Sequence, residues 1–400
     1  MACTQFASTN TTDLSYVLEV DCGTTPDDPD FQLIPTTGGG PTGNISTAVS
    51  EVIRSDRMTD DLIVVDSEIA GSVNYELSYG PYSPIIKSLL MDDAPKTLAL
   101  SSQTWAYVDT TGEVTGTNFT TDFFDGYFVK ISSANNSAID GIYKIVTVDS
   151  ATVLQLGAGA VGADFSETDI AIEAVIHRNG TASADNYTVL KRVVNGASTS
   201  YFSYRGCQIS SMSFNFETGS ILNGAFDVIG LSEIATDTEA DIADGTIEYL
   251  DVASYSLMNA VSSITEIDFG GLSASTEFSN MNLTINNNMT PAKAIGTLGA
   301  AAISPFTLEV SADSTVYFED TVIYNKYLDA DSFYVDIRLL DGDGNVLIMS
   351  IPKAKFAELE APVDSKDNYM FQNGSITGLR FVDSLDVNES YMVQFAFFPA

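Results

Sequence analysis

The only histidine of the chain, His177, stands near the end of an apolar strand, and this limits the available chemistry at once. A nucleophilic triad, a histidine-bearing metal cluster or an imidazole proton shuttle needs partners that are not grouped around it. A strand-end residue with its ring partly packed is the expectation. Cys3, Cys22 and Cys207 are odd in number and widely spaced. They offer neither a disulfide framework nor a thiolate metal set, and they fit folding in a reducing cytosol. Asp341-Gly342-Asp343-Gly344-Asn345 opens like a calcium loop, but Val346 holds the sixth position and Pro352 the twelfth, where a bidentate glutamate belongs. Its Asp-Gly and Gly-Asn pairs predict instead a tight hairpin turn between strands over 334–340 and 346–351. Carboxylates are so numerous that no pair separates itself as an acid/base couple. No glycine-rich phosphate loop with its lysine occurs, and Trp105 is alone. The chain reads as a non-enzyme with no cofactor and no metal.

The elements that would position such residues are mostly strands. Of 400 residues, 44% are hydrophobic and only 18% charged, with 18 Tyr, 22 Phe and abundant Val, Ile, Thr and Asn. That composition favours strands and turns over helices, and the length suffices for two or three cores. The formal charge is −37, from 17 basic and 54 acidic residues. A surface this negative repels nucleic acid and anionic membranes, since both need Lys and Arg to displace counterions. Between Arg205 and Lys293 there are twelve Asp and Glu and no basic residue. Apolar runs fall short of the ~20 residues of a membrane-spanning helix. Met1-Ala2-Cys3-Thr4-Gln5 lacks the basic and apolar regions of an export signal. A soluble, non-exported chain is expected.

Turn signals divide the chain. Residues 1–45 read as an N-terminal arm with a first strand at Tyr16-Val17-Leu18-Glu19-Val20. Residues 46–94 and 181–235 read as a first β unit. Within it, Val73, Tyr75, Leu77 and Tyr79 alternate against Ser72, Asn74, Glu76 and Ser78, and a short helix over 83–91 is opened by Pro84. Residues 95–180 carry five short strands at close spacing and read as a small inserted all-β domain. Residues 236–275 form an acidic connection, and 276–400 a second β unit. The second unit echoes the first: Arg57-Met58-Thr59 in Asn288-Met289-Thr290, each closing a strand; Asn74-Tyr75-Glu76-Leu77-Ser78 in Thr307-Leu308-Glu309-Val310-Ser311; the 83–91 helix in a longer one over 315–328; and 204–230 in 351–378.

These residues resemble the tail tube (major tail) proteins of siphophages, which have long non-contractile tails. The resemblance rests on Tyr16-Val17-Leu18-Glu19 with Gly23-Thr24-Thr25-Pro26, on Ser50-Glu51-Val52-Ile53-Arg54-Ser55-Asp56-Arg57, and on Glu76-Leu77-Ser78-Tyr79-Gly80. It continues through Tyr204-Arg205-Gly206, Gly224 with Phe226, and Pro352-Lys353-Ala354-Lys355. Asp125-Gly126-Tyr127-Phe128-Val129 is similar to that family's accessory domain; Ser50 stands where family members commonly carry Asn. The resemblance implies a mainly β fold: two related sandwich or barrel units, each with one short helix, contributing strands to a continuous inner barrel. It implies a structural virion protein whose rings stack into a tube for DNA, assembled in the host cytoplasm. With a duplicated unit, three chains would make a pseudo-hexameric ring; a true hexamer is the alternative. Its partners would be itself, the tape-measure protein, the tail terminator and the distal tail proteins, with DNA passing unbound and no membrane. Asn74, Glu76, Asn215, Glu217, Glu309, Glu358 and Glu360 are the expected lumen-lining residues. Arg54, Asp56, Arg57, Asp60 and Asp61 are the expected inter-subunit or inter-ring contacts. The insertion would decorate the outside.

Two other classes share the composition. A secreted β-rich surface or adhesin-like protein would carry an export signal and often calcium loops. A polysaccharide-degrading β protein would want aromatic platforms and one defined carboxylate pair.

Overall fold

The computed structural model describes residues 6–400 except 57, 93, 158, 197, 253–254, 271–276, 364–365 and 384–389. Its main elements in chain order are β1 (Thr12–Leu18), β2 (Thr42–Val49), β3 (Leu62–Glu76), α1 (Ser83–Leu90), α2 (Phe119–Asp122), β4 (Phe165–Arg178), β5 (Tyr187–Asn195), β6 (Ser198–Glu217) and β7 (Asn223–Gly230). There follow β8 (Ile264–Phe269), β9 (Phe278–Asn286), β10 (Glu309–Tyr317), α3 (Val322–Leu328), β11 (Phe333–Leu340), β12 (Val346–Glu360), β13 (Phe371–Gly378) and β14 (Gln394–Phe398).

The hydrogen-bonded order in the first half is β1-β5-β6-β7-β3-β2. The second half repeats it as β8-β11-β12-β13-β10-β9. In each half the long central strand slips register against its next neighbour, between Ile209 and Ser211 where β6 pairs with β7 and between Phe356 and Glu358 where β12 pairs with β13. A bulge bends the strand at one point, and its recurrence fixes the correspondence of the two halves. Ser211 matches Glu358, Asp227 matches Ser375, and Ser72 matches Asp313. The halves are joined where the end of β6 pairs with β9, Ser211 opposite Asn286 through Glu217 opposite Asn280.

One apolar core runs under both halves, including Tyr75, Phe214 and Phe226 from the first and Leu283, Val310 and Ile376 from the second. Tyr75 meets Tyr82, Phe214 and Phe226 at ring-centroid distances of 4.6, 6.3 and 6.2 Å. Helix α1 starts at Ser83-Pro84, where a missing amide hydrogen costs nothing. It buries Ile85, Ile86, Leu89 and Leu90 and stops at Met91, whose φ is +51°.

A second core collects Trp105, Phe119, Phe123, Val129, Ile131 and Ile170 from between α1 and β5, together with Ile348, Ala396 and Phe398. Its strands are the ladder of Lys96–Val108 on β4 with shorter neighbours. This region is not wholly β, because α2 supplies one helical turn beneath Trp105. β14 lies between β4 and β12, with Ile176 opposite Ala396 and Ile348 opposite Ala396, so the end of the chain ties this core to the second half. Lys144 reinforces the tie: its Nζ lies 2.5 Å from Asp336 and 3.6 Å from the centre of the Tyr334 ring. Ser350 Oγ donates to the other Asp336 oxygen at 2.5 Å, and Arg338 donates to the Ile142 carbonyl at 2.6 Å.

Several expectations are corrected. The helix expected over 315–328 begins at Val322 and is shorter than α1, because Thr315, Val316 and Tyr317 complete β10 against β13. Asp320 accepts from the Val322 amide and starts the helix there. Matching letters misplaced the echo of Asn74–Ser78: Asn74 corresponds to Thr315, not Thr307, since hydrogen-bond register fixes the correspondence. Met58 and Thr59 lie in a loop and Thr290 opens a strand, so neither echoed triplet closes one; Arg57 lies outside the described residues. Within the N-terminal stretch 1–45, the first strand expected over Tyr16–Val20 is displaced. β1 spans Thr12–Leu18 against β5, while Val20 is outside it and 89% exposed. The stretch 236–275 is more than a connection, because β8 within it pairs with β11.

Candidate functional site

The chemistry-bearing positions resolve simply. His177 is buried, its Nδ1 3.0 Å from Asp92 Oδ2 and its ring edge-on to Phe397. Asp341 accepts from the amides of Asp343 and Asn345 and from the Asn345 side chain, holding the turn between β11 and β12. Cys22 and Cys207 are free thiols, one exposed and one buried, and Cys3 lies outside the described residues. Among the described residues no three or more His, Cys, Asp and Glu gather to hold a metal ion, and no helix is long and apolar enough to cross a membrane.

A larger feature follows from strand register. β3, β7, β6, β9, β10, β13 and β12 lie side by side, and residues directly opposite one another point to the same face. Reading across gives four rows. One runs Ser72, Asp227, Ser211, Asn286, Glu309; the next Asn74, Ala225, Ser213, Thr284, Ser311, Thr377, Lys355. The third runs Glu76, Asn223, Asn215, Asn282, Asp313, Ser375, Glu358, and the fourth Glu217, Asn280, Thr315, Asn373, Glu360. Residues between these on the same strands, such as Val73, Phe214, Leu283, Ala312 and Ile376, are buried in the core. The sheet is therefore apolar on one side and polar on the other, and a one-residue slip of any strand would exchange the two.

Asn74, Glu76, Asn215, Glu217, Glu309, Glu358 and Glu360, picked strand by strand from the sequence, all lie on this polar face. Asp227 and Asp313 join them and were not singled out. Their signal was present in the alternation of Asp227 with buried Phe226 and Val228, and of Asp313 with Ala312 and Ser314. Lys355 is the one basic residue in the four rows. Short side-chain bonds knit the face: Ser211 Oγ donates to Asp227 at 2.6 Å, Asn215 to Asn223 at 3.1 Å, and Thr315 to Asn373 at 3.1 Å. Like charges at strand spacing repel a polyanion without any one of them binding it.

The Arg54 group sits elsewhere, in the loop joining β2 to β3. Arg54 pairs with Asp56 at 2.9 Å and with Asp60 at 2.5 Å, all three in solvent. That hydrogen bonding holds the Asp56 carboxyl below the usual carboxylate range. Asp61 accepts from the Leu62 amide. Arg54 thus closes on carboxylates of its own loop.

Among the described residues, the run of strands that carries these four rows ends in an open edge on each side. β2 bonds only to β3, and β12 from Lys355 to Glu360 bonds only to β13. At the matching place in the first half, the end of β6 is covered by β9. Open edges invite pairing with another chain.

No curated protein matches the chain. The phage tail tube protein family does, over residues 9–378, nearly its whole length. A family match of that extent, on a mainly β chain, is decisive: this chain belongs to the phage tail tube proteins.

Proposed function

We propose that three copies of this chain close into a pseudo-sixfold ring, and that rings stack into the tail tube of a siphophage with the polar sheet face lining the DNA channel. The observation that carries the reading is the junction of β6 with β9. It joins the two halves through an edge whose counterparts, the end of β12 and the strand β2, are unpaired in the single chain. Repeating the internal register between copies sets Glu358 opposite Asn44 and Glu360 opposite Thr42 of the next chain, with the polar face continuous across the joint. Closure by rotation then leaves no open edge in the barrel.

The channel wall follows. Glu76, Asp227, Glu217, Glu309, Asp313, Glu358 and Glu360 face inward against Lys355, so transiting DNA gains no counterion release and does not stick. The core around Trp105 lies outside the wall. The ends of the tube meet the tail terminator and distal tail proteins, and the tape-measure protein occupies the channel before DNA. The parts assemble in the host cytoplasm.

Light scattering with negative-stain microscopy of the purified chain tests this. A particle of three chains with a central hole is expected. A ring of six chains supports the hexamer instead, and a chain that stays monomeric at every concentration, or grows into solid fibres, removes the reading.

A further inference from the structure

An amine and two carboxyl groups meet where the outer core is tied to the second half. Lys144 ends the strand Gly141–Lys144 of that core, opposite Phe128. Asp336 lies in β11, with Ser350 of β12 opposite it on one side and Asp268 of β8 opposite it on the other. Residues opposite one another in an antiparallel ladder share a face, so Ser350 and Asp268 flank the Asp336 carboxyl. Lys144 Nζ is 2.5 Å from Asp336 Oδ2, and Ser350 Oγ donates to Oδ1 at 2.5 Å. Tyr334 Oη donates to Asp268 Oδ2 at 2.9 Å. Tyr334 and Phe128 wall the amine, their ring centres 3.6 and 5.5 Å from Nζ.

The enclosure favours uncharged partners. The Lys144 and Asp336 side chains are only 23 and 11% exposed, and an ion pair held away from water forfeits much of its attraction to desolvation. Burial raises the Asp336 pKa against the pull of Lys144 and Ser350, and the like charge of Asp268 adds to the rise. Lysine amines gain nucleophilicity when desolvated. The next charged groups on this face, Glu266 and Arg338, stand 3.9 Å apart and answer each other.

We propose that Lys144 and Asp336 join in an isopeptide bond that closes within the folded chain, with Asp268 relaying the proton. The ion pair is the starting state, and transfer of one proton from Nζ to Asp336 gives the neutral amine and acid. The Nζ lone pair attacks Asp336 Cγ, one bond beyond the oxygen it already touches. Ser350 stays on Oδ1 and steadies the negative charge that collects there. Asp268 takes a proton from the nitrogen and hands it to the Oδ2 hydroxyl, which leaves as water. One N–C bond forms, one C–O bond breaks, and water is the sole by-product, so no oxidant, reductant or cofactor takes part. Amine and acid do not condense readily in water, but aligned groups of one molecule reach effective molarities of about 10⁵–10⁸ M. The product links residues 192 apart in sequence and restricts the unfolded chain as a long-range cross-link does. It fastens the outer core covalently to β11.

Intact-mass spectrometry of the denatured full-length chain tests this. The unaltered protein should be lighter than its sequence by one water, and a protease digest should hold a branched peptide joining the segments of Lys144 and Asp336. Lys144→Arg keeps the charge without a reactive amine and should have its full sequence mass. Asp268→Asn should close the bond at least about a hundredfold more slowly, as when a proton relay is lost, and Asp268→Glu should restore closure. Thermal melts establish that these variants are folded. The unaltered chain decides the bond without them: its full sequence mass after prolonged incubation, or a branch at other residues, overturns the proposal. Closure at the ordinary rate in folded Asp268→Asn removes Asp268 from the relay.

Discussion

In the first half, β7 presents Phe226 to the core; at the matching position in the second half, β13 has Gly374. Phe226 packs against Tyr75, whereas Phe356 and Leu359 close over Gly374 so tightly that an added Cβ would lie 3.0 Å from each. The same contrast recurs at the sheet ends, where Glu76 and Asn223 answer Tyr317 and Phe371. Strand order and bulge position are repeated while the side chains that fill them are not. What the halves share is therefore the pattern of backbone pairing, which lets each half dock on the other. What differs is the surface each presents once docked.

The largest expected effect lies in the core. Phe226→Ala should cost about 3–5 kcal/mol, because the void cannot be closed by neighbours held in strands. Urea titration measures it, and a loss under about 1 kcal/mol would mean the first half repacks as the second has done around Gly374. Next comes the tie between the outer core and the second half. Lys144→Met strands a buried carboxylate and should cost about 3 kcal/mol at neutral pH. Burial already raises the Asp336 pKa, with Lys144 opposing it, so losing Lys144 raises it further. A raised folded pKa gives stability that is whole below the unfolded value and is lost as pH rises through the folded one. The variant's deficit should thus shrink on acidification to about pH 4, near the free carboxylate value. Melts at both pH values decide it, and an equal deficit at both would refute the carboxylate as its cause.

On the polar face the expectation inverts. Glu217→Lys should change stability by no more than about 0.5 kcal/mol. Assembled tubes should nevertheless retain added DNA at low salt and release it at high salt. Retention unchanged in a gel-shift assay would detach this face from the channel. The smallest effect is at Arg54, whose pairs are exposed and screened by solvent: Arg54→Ala should leave the melting of the folded chain unchanged. A marked loss of tube length with unchanged melting would show that Arg54 also reaches a neighbouring ring.

Alternation made much of this legible. Val73 and Tyr75 against Asn74 and Glu76, and Phe214 and Phe216 against Asn215 and Glu217, assigned inward and outward residues correctly on single strands. The turn at Asp341–Asn345 and the helix opened by Pro84 were equally plain, since each depends on neighbours along the chain. Less was visible for α3, because Thr315 to Tyr317 read as helix only when their cross-strand partners are ignored. Asp227 and Asp313 were overlooked for a similar reason, as nothing local distinguishes them from other exposed acids.

By itself the sequence determined the β composition, the acidic charge and the side of its strand to which most residues point, because these depend on side-chain type and a period of two. Tertiary structure decided which strands lie together, and hence that acids far apart in the chain share one face and that two particular edges stay open. Those outcomes are set by hydrogen-bond register between distant segments, where a shift of one residue reverses every side chain and no local preference can choose between the alternatives.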